Sequence, residues 1–385
     1  MTLEAAKPKH RYVALDSLRG VCACMVVLLH FETQGHISAL PVVKHAFLFV
    51  DFFFVLSGFV IGSSYGQRLI DGFRIREFMW LRLGRVYPLH LVMLLAFLAF
   101  EIVFAVFMPG MAGRRPFEGP FSLAAFVQSL FLLQIFFPPD ATPWNGPSWS
   151  IAAEIWTYLI FALVLRYAHR WLVPIALVMI VAAPVYLANL TDRYIMVFHD
   201  GALARCLFGF ALGMIGWRCA AWIESVRLSA AADQLVELAV LVATIMFVSA
   251  AGSGPLSLAA PFMFFVAVLV FARERGIVSR LLRTGPFVLL GTLSYSIYMI
   301  HGFIYYRFVN VLGKVGSRLG LDLVSSSGGH NTVGGGALFG DAMTISFLAL
   351  VICLSYVSYR LIERPGQTFA RGRIHRPLPP APGAP

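Results

Sequence analysis

Apolar residues in this chain run in continuous stretches of roughly 20, interrupted by short polar segments, instead of alternating at every second position. Ten such stretches predict membrane-spanning helices: Ala14 to Phe31, Ala46 to Tyr65, Val86 to Met108, Trp149 to Leu165, Trp171 to Leu190, Ala204 to Trp217, Leu235 to Ala250, Leu256 to Ala272, Phe287 to Leu312 and Met343 to Leu361. Runs of this kind exclude a strand-built barrel, whose spans alternate over about 10 residues. The expected fold is an all-α polytopic membrane protein with about ten transmembrane helices. An eleventh stretch, Ser122 to Phe137, is short and contains Gln128 and Gln134, so it could span, lie at the interface or re-enter.

Charge decides between these topologies. Of the 30 Lys and Arg residues, 21 fall in segments on one side when Ser122 to Phe137 does not span, 7 fall on the other, and Arg19 and Arg307 lie within spans. Positive residues collect on the cytoplasmic side of membrane proteins, so both termini are expected inside. Making the eleventh stretch a span would put most of the later positive charge outside. The composition agrees: 59% of the 385 residues are hydrophobic and 13% are charged. That excludes a soluble domain, which carries about 25% charged residues, and a disordered chain. The net charge of +11 reads as membrane orientation, with no nucleic-acid partner implied.

Residues 1–13 read as a cytoplasmic tail, 14–365 as the membrane domain, and 366–385 as a disordered Pro-rich cytoplasmic tail. No second globular domain, internal repeat or pair of broken helices is evident. The outer loop from Gly313 to Gly340, rich in Gly and Ser, is expected to be unstructured because it has little apolar surface to bury. A polar tail precedes the first span and Asp16 and Arg19 interrupt it, so no cleavable signal peptide is expected and the mature chain should begin near Met1. The five cysteines, Cys22, Cys24, Cys206, Cys219 and Cys353, lie in or beside apolar runs and read as small hydrophobes. No metal site is suggested, since the histidines are scattered.

Charged groups at membrane depth are costly and need a partner, a water-filled cavity or a function. The first span carries Arg19 and His30, which lie on nearly one helical face about 16 Å apart along the axis. With the N-terminus inside, Arg19 is near the cytoplasmic mouth and His30 near the outer end. Taken alone, the pair also suits a snorkelling arginine and a helix-end histidine. Asp51 and Glu154 fall in the same outer half as His30, and a carboxylate beside an imidazole fixes its tautomer and stabilises its protonated form. His301, deeper in the ninth span, reads first as a buried hydrogen-bonded group. Ser57 and Gly58 read first as small residues for close helix packing. On the inner side Arg68, Arg74, Arg76, Arg82 and Arg85 cluster against only Asp71 and Glu77. Guanidinium groups bind phosphates through paired hydrogen bonds, and Arg82 and Arg85, just before the third span, are the best placed.

These residues resemble the membrane acyltransferase family 3, integral-membrane O-acyltransferases that modify surface polysaccharides, peptidoglycan, lipopolysaccharide and some antibiotics. The resemblance spans nearly the whole chain. It rests on Arg19 and His30 in an Arg-x10-His pattern, on Val50 to Phe59 (VDFFFVLSGF), on Arg82, Arg85, Tyr87 and Pro88, on Pro147 to Ser150 followed by Glu154, on Ser294, Tyr295, Tyr298 and His301, and on Glu363 and Pro365. The family's ten-span core agrees with the charge distribution. The resemblance implies that acyl-CoA, with acetyl-CoA expected, binds from the cytoplasm and that the acyl group is carried through the core to a hydroxyl acceptor near the outer face of the inner membrane. Arg19, Arg82 and Arg85 would hold the donor, and His30 corresponds to the family's catalytic histidine. Chemically, His30 is a general base oriented by Glu154 or Asp51, or an acyl carrier.

The expected partners are membrane lipids, acyl-CoA and a carbohydrate or lipid-linked oligosaccharide acceptor. Some family members carry an additional C-terminal span and an esterase-like domain; without them, transfer would be direct or through a separate protein. Two other readings stay open. One is a transporter or flippase, in which the buried charges form a solute or proton path. The other is an acyltransferase acting on a lipid or small molecule.

Overall fold

A computed structural model describes residues 11–107, 115–137, 144–327 and 330–374, and they form an all-α polytopic membrane protein. Among the described residues, eight helices are long and apolar enough to cross a bilayer. The helices are α1 (Val13–Leu29), α2 (Phe49–Ile61), α3 (Ile75–Phe107), α4 (Leu123–Leu130), α5 (Ser148–Tyr167), α6 (Leu172–Leu190), α7 (Ala202–Ser225), α8 (Ala230–Ala251), α9 (Ala260–Phe271), α10 (Gly285–Leu319), α11 (Ala337–Ser358) and α12 (Arg364–Ile374). Of the ten expected spans, the two shorter ones are α1, with 17 residues, and the apolar stretch Pro255–Phe271 that contains α9. The disputed stretch Ser122 to Phe137 holds only the 8-residue α4, about 12 Å long, which is too short to cross. Its Ser122 side chain caps the helix by accepting from Ala125 N.

Two close helix pairs set the frame. A Cβ at Gly20 of α1 would lie 2.3 Å from the Leu290 carbonyl carbon, and one at Gly291 of α10 would lie 2.5 Å from the Asp16 carbonyl oxygen. Glycine on both sides therefore lets α1 and α10 touch backbone to backbone, as small residues do at membrane interfaces. Gly58 of α2 and Gly213 of α7 do the same, with Cβ positions 2.2 Å from Phe210 O and 2.1 Å from Val55 O. Gly58 thus has the packing role expected of it, while its neighbour Ser57 faces elsewhere.

Three expectations change. The third span begins eleven residues early, at Ile75, so Arg82 and Arg85 stand on continuous helix with the apolar segment that follows. Pro88 lies inside this helix and its ring abuts Gly366 of α12, where a Cβ would come 2.6 Å from Pro88 Cγ. The last span does not stop at Leu361: a π-turn, Tyr359–Glu363, leads into α12, so residues 366–374 are helical and packed on α3. Residues 375–385, with most of the proline-rich tail, lie outside the described residues.

The loop from Gly313 to Gly340 is the third. Helix α10 runs on to Leu319, and the strands β1 (Val324–Ser327) and β2 (His330–Val333) form an antiparallel hairpin. Buried Val333 anchors it, donating from its N–H to Glu32 O (3.0 Å) and accepting from Gln34 N (2.9 Å). Order comes from backbone pairing with the segment after α1 and not from composition, while Gly335 and Gly336, with φ of +88° and +90°, turn the chain into α11.

Candidate functional site

The α1 to α10 contact delivers Arg19 to Ser294. Arg19 Nε donates to Ser294 Oγ (2.9 Å), and its Nη2 reaches Gly291 O (3.3 Å) and Asp16 Oδ1 (3.0 Å). Arg19 lines a cavity of about 830 Å³ formed by α1, α2, α3, α5 and α10. Arg82 and Arg85 lie on the same wall, so the three arginines expected to act together do share one space. Arg82 donates from Nη2 to Tyr65 OH (3.1 Å), and its Nε is buried without a partner. Arg85 makes no hydrogen bond or close ion pair among the described residues. Beside these cations, Glu363 is buried in the π-turn and accepts from Ser296 Oγ (2.9 Å) and Gln367 Nε2 (3.1 Å).

Glu154 lines the cavity too. Its Oε1 accepts from both Ser57 and Tyr158, so two hydroxyls stabilise the carboxylate at membrane depth without an arginine in contact. Ser57 faces this carboxylate one residue away from the packing glycine, and Tyr158 follows Glu154 by one helical turn. Farther out, Ser150 Oγ donates to Tyr298 OH (2.9 Å), and both residues line the cavity.

His30 caps the exposed C-terminal end of α1. Its Nδ1 lies 2.8 Å from Val26 O, and since a carbonyl only accepts, Nδ1 carries the proton and Nε2 presents a lone pair. His301 has the same tautomer, with Nδ1 donating to Tyr298 O (2.7 Å) and a buried Nε2 without a partner. The two imidazole centroids are 4.9 Å apart, and Tyr298 and His301 are 6.0 Å apart. A sequence of rings thus leads from the cavity through Tyr298 and His301 to His30. A second cavity of about 840 Å³ lies at the same end of α1, lined by Glu32, Thr33, Gln34, Ser38, Lys44 and Thr332 among others.

A family model described as an acyltransferase domain matches residues 12–360. The chain belongs to the membrane acyltransferase family 3. Members of this family transfer acyl groups, and this protein is accordingly an acyltransferase. It is 27% identical over 376 residues to acyltransferase MdmB of Streptomyces mycarofaciens, covering 92% of this chain and 86% of that one. It is 25% identical to the exopolysaccharide production protein ExoZ of Rhizobium meliloti, covering 85% and 90%. Protein 2 in the picA locus of Rhizobium radiobacter is 31% identical over 166 residues, 40% of this chain and 83% of that one. No solved structure matches the chain significantly.

Within this acyltransferase the expected partners of His30 are placed differently. Asp51 does not reach it: fully buried, it forms a two-point ion pair with Arg205, from Nε to Oδ1 at 2.9 Å and from Nη2 to Oδ2 at 2.7 Å. Glu154 is held by Ser57 and Tyr158 instead. Val26 O orients the His30 ring in their place. Nor do Arg19 and His30 line one cavity, because Tyr298 and His301 stand between the cavity and His30. Arg205 escaped notice because it falls just inside an apolar run and counts as a loop charge; the signal was Asp51, a carboxylate at membrane depth with no assigned cation. Tyr158 carries no sequence signal beyond following Glu154 by one turn, and Ser57, which lies in the Val50 to Phe59 motif, reads first as a packing residue.

Proposed function

We propose that the protein transfers an acyl group, expected to be acetyl, from cytoplasmic acyl-CoA to a hydroxyl of a carbohydrate acceptor at the outer face of the inner membrane. The observation that carries this reading is the convergence of Arg19, Arg82 and Arg85 on one cavity whose far end leads by Tyr298 and His301 to His30. Three guanidinium groups suit the phosphates of a nucleotide carrier, and the apolar walls of Phe53, Phe54, Val60 and Ile61 suit the uncharged arm behind it. The relation to an exopolysaccharide production protein supports a carbohydrate acceptor, and the outer cavity beside α1 offers the hydroxyl, amide and charged groups to hold one.

In the transfer, His30 Nε2 takes the hydroxyl proton as the acceptor oxygen bonds to the thioester carbonyl carbon. The carbon–sulfur bond breaks, the thiolate leaves with its electron pair, and the imidazolium returns the proton to sulfur. The negative end of α1 and the Nδ1–H bond to Val26 O stabilise the charged ring in between.

Arg85, which makes no hydrogen bond or close ion pair among the described residues, gives the sharpest test. Arg85→Leu should raise the KM for acetyl-CoA by about 10- to 100-fold, the worth of a charge-assisted hydrogen bond, with kcat little changed. The KM for acetyl-pantetheine, which lacks the nucleotide, should not move. An unchanged acetyl-CoA KM would remove the arginines from carrier binding.

A further inference from the structure

Buried acceptors without donors are rare in folded proteins, and each one marks a place where something is missing. Two lie at one turn of α10: His301 on the helix, beside His30, and Asn145, which precedes α5 and packs against Met299 and Gly302. His301 is fully buried, its Nδ1–H is committed to Tyr298 O, and its Nε2 lone pair has no partner. Asn145, 1% exposed, donates from Nδ2 to Met299 O (3.2 Å), which fixes the orientation of its amide and leaves Oδ1 unpartnered. Asn145 Oδ1 sits beside Gly302, 3.9 Å from where a Cβ would be. His301 thus stands between Tyr298 of the cavity and the His30 ring, and Asn145 flanks the same turn of α10 at Met299 and Gly302.

A ligand segment that fits here must bring hydrogen-bond donors and no negative charge. It must also be narrow, since the Tyr298 and His301 rings are 6.0 Å apart and the His301 and His30 rings 4.9 Å apart. We infer that His301 and Asn145 form a subsite for the amide N–H nearest sulfur in the pantetheine arm of acyl-CoA. This rests on the donor reading given above. That nitrogen is two carbons from sulfur, so an amide held at His301 Nε2 places the thioester next along the arm. The adjacent ring is His30, with its centroid 4.9 Å from that of His301. His301 is then a positioning residue, and the unpartnered lone pair is satisfied only while the arm is bound. An acceptor sugar could also bring O–H donors to the same atoms, but Tyr298, whose ring lies 6.0 Å from that of His301, lines the arginine-rich cavity, which favours the arm.

The test compares acetyl-CoA with an analogue in which a methylene replaces the N–H of that amide, using thiol release by the purified full-length protein in detergent. A site built for the N–H should reject the analogue by about 10- to 100-fold in kcat/KM, because its acceptors stay unpaired. His301→Met should bring that ratio close to one, while His301→Gln, of similar volume but with an amide oxygen, should keep part of it. Loss of packing alone would lower both substrates together and leave the ratio intact. A ratio near one in the unmodified protein overturns the subsite without any variant, as does a ratio that survives both His301→Met and Asn145→Leu. If those variants raise only the KM of a carbohydrate acceptor, the acceptors serve the sugar and the inference is wrong. Absence of thiol release from acetyl-CoA itself would overturn the donor reading instead, and the subsite with it.

Discussion

Replacing Arg205 by leucine should cost the protein about 3 to 5 kcal/mol and abolish a monodisperse folded species in detergent. Asp51 and Arg205 are both wholly buried, and the guanidinium also donates to Phe47 O (3.1 Å) and Val197 O (3.2 Å). It therefore ties α2 to α7 and to the segment between α6 and α7. Removing the cation strands a fully buried, unpaired carboxylate. Arg205→Lys should fare little better, because an ammonium cannot reproduce the planar two-point contact. The double change Asp51→Leu with Arg205→Leu should melt higher than Arg205→Leu alone, since it removes the stranded charge. Thermal melts followed by size exclusion would check this series. If Arg205→Leu melts as the parent does, the ion pair is not what joins these helices.

His30→Ala should lower kcat for acetyl transfer by about 10²- to 10⁴-fold, the usual contribution of a positioned general base. The KM for acetyl-CoA should stay nearly constant, because His30 is absent from the arginine-lined cavity that is expected to bind the carrier. This split between kcat and KM separates His30 from Arg85, for which the reverse is expected. Rapid quenching without acceptor distinguishes the two chemical roles of the ring: an acylated histidine would accumulate if it carries the group, and none would if it acts only as a base. Activity within a few fold of the parent in His30→Ala would exclude both roles.

How far the sequence reaches depends on what kind of interaction fixes each feature. Hydropathy is a one-dimensional property, and it suffices for an all-α membrane protein, for the eight long apolar helices among the described residues and for the shortness of α4. The single-helix spacing of Arg19 and His30 was legible, but a helix wheel says only that two side chains share a face. What stands between them comes from α10, whose Tyr298 and His301 enter that face through the glycine contact of Gly20 with Leu290 and Gly291. Long-range pairings were hidden for the same reason. Nothing local connects Asp51 with Arg205, 154 positions later. Composition misled at the loop from Gly313 to Gly340, where a Gly- and Ser-rich segment is ordered because buried Val333 and the backbone around Glu32 and Gln34 pair with each other.

The central claim is that the acyl group enters at the arginine-rich face and leaves at the His30 end. It is tested most directly in sealed vesicles with the protein inserted in one known orientation and radiolabelled acetyl-CoA supplied on one side only. Acetyl-CoA on the side of Arg82 and Arg85 should yield thiol on that side and labelled acceptor on the opposite side, with both lost in His30→Ala. Labelled acceptor formed on the same side as the acetyl-CoA, or equal turnover with acetyl-CoA supplied from the His30 side, would contradict it.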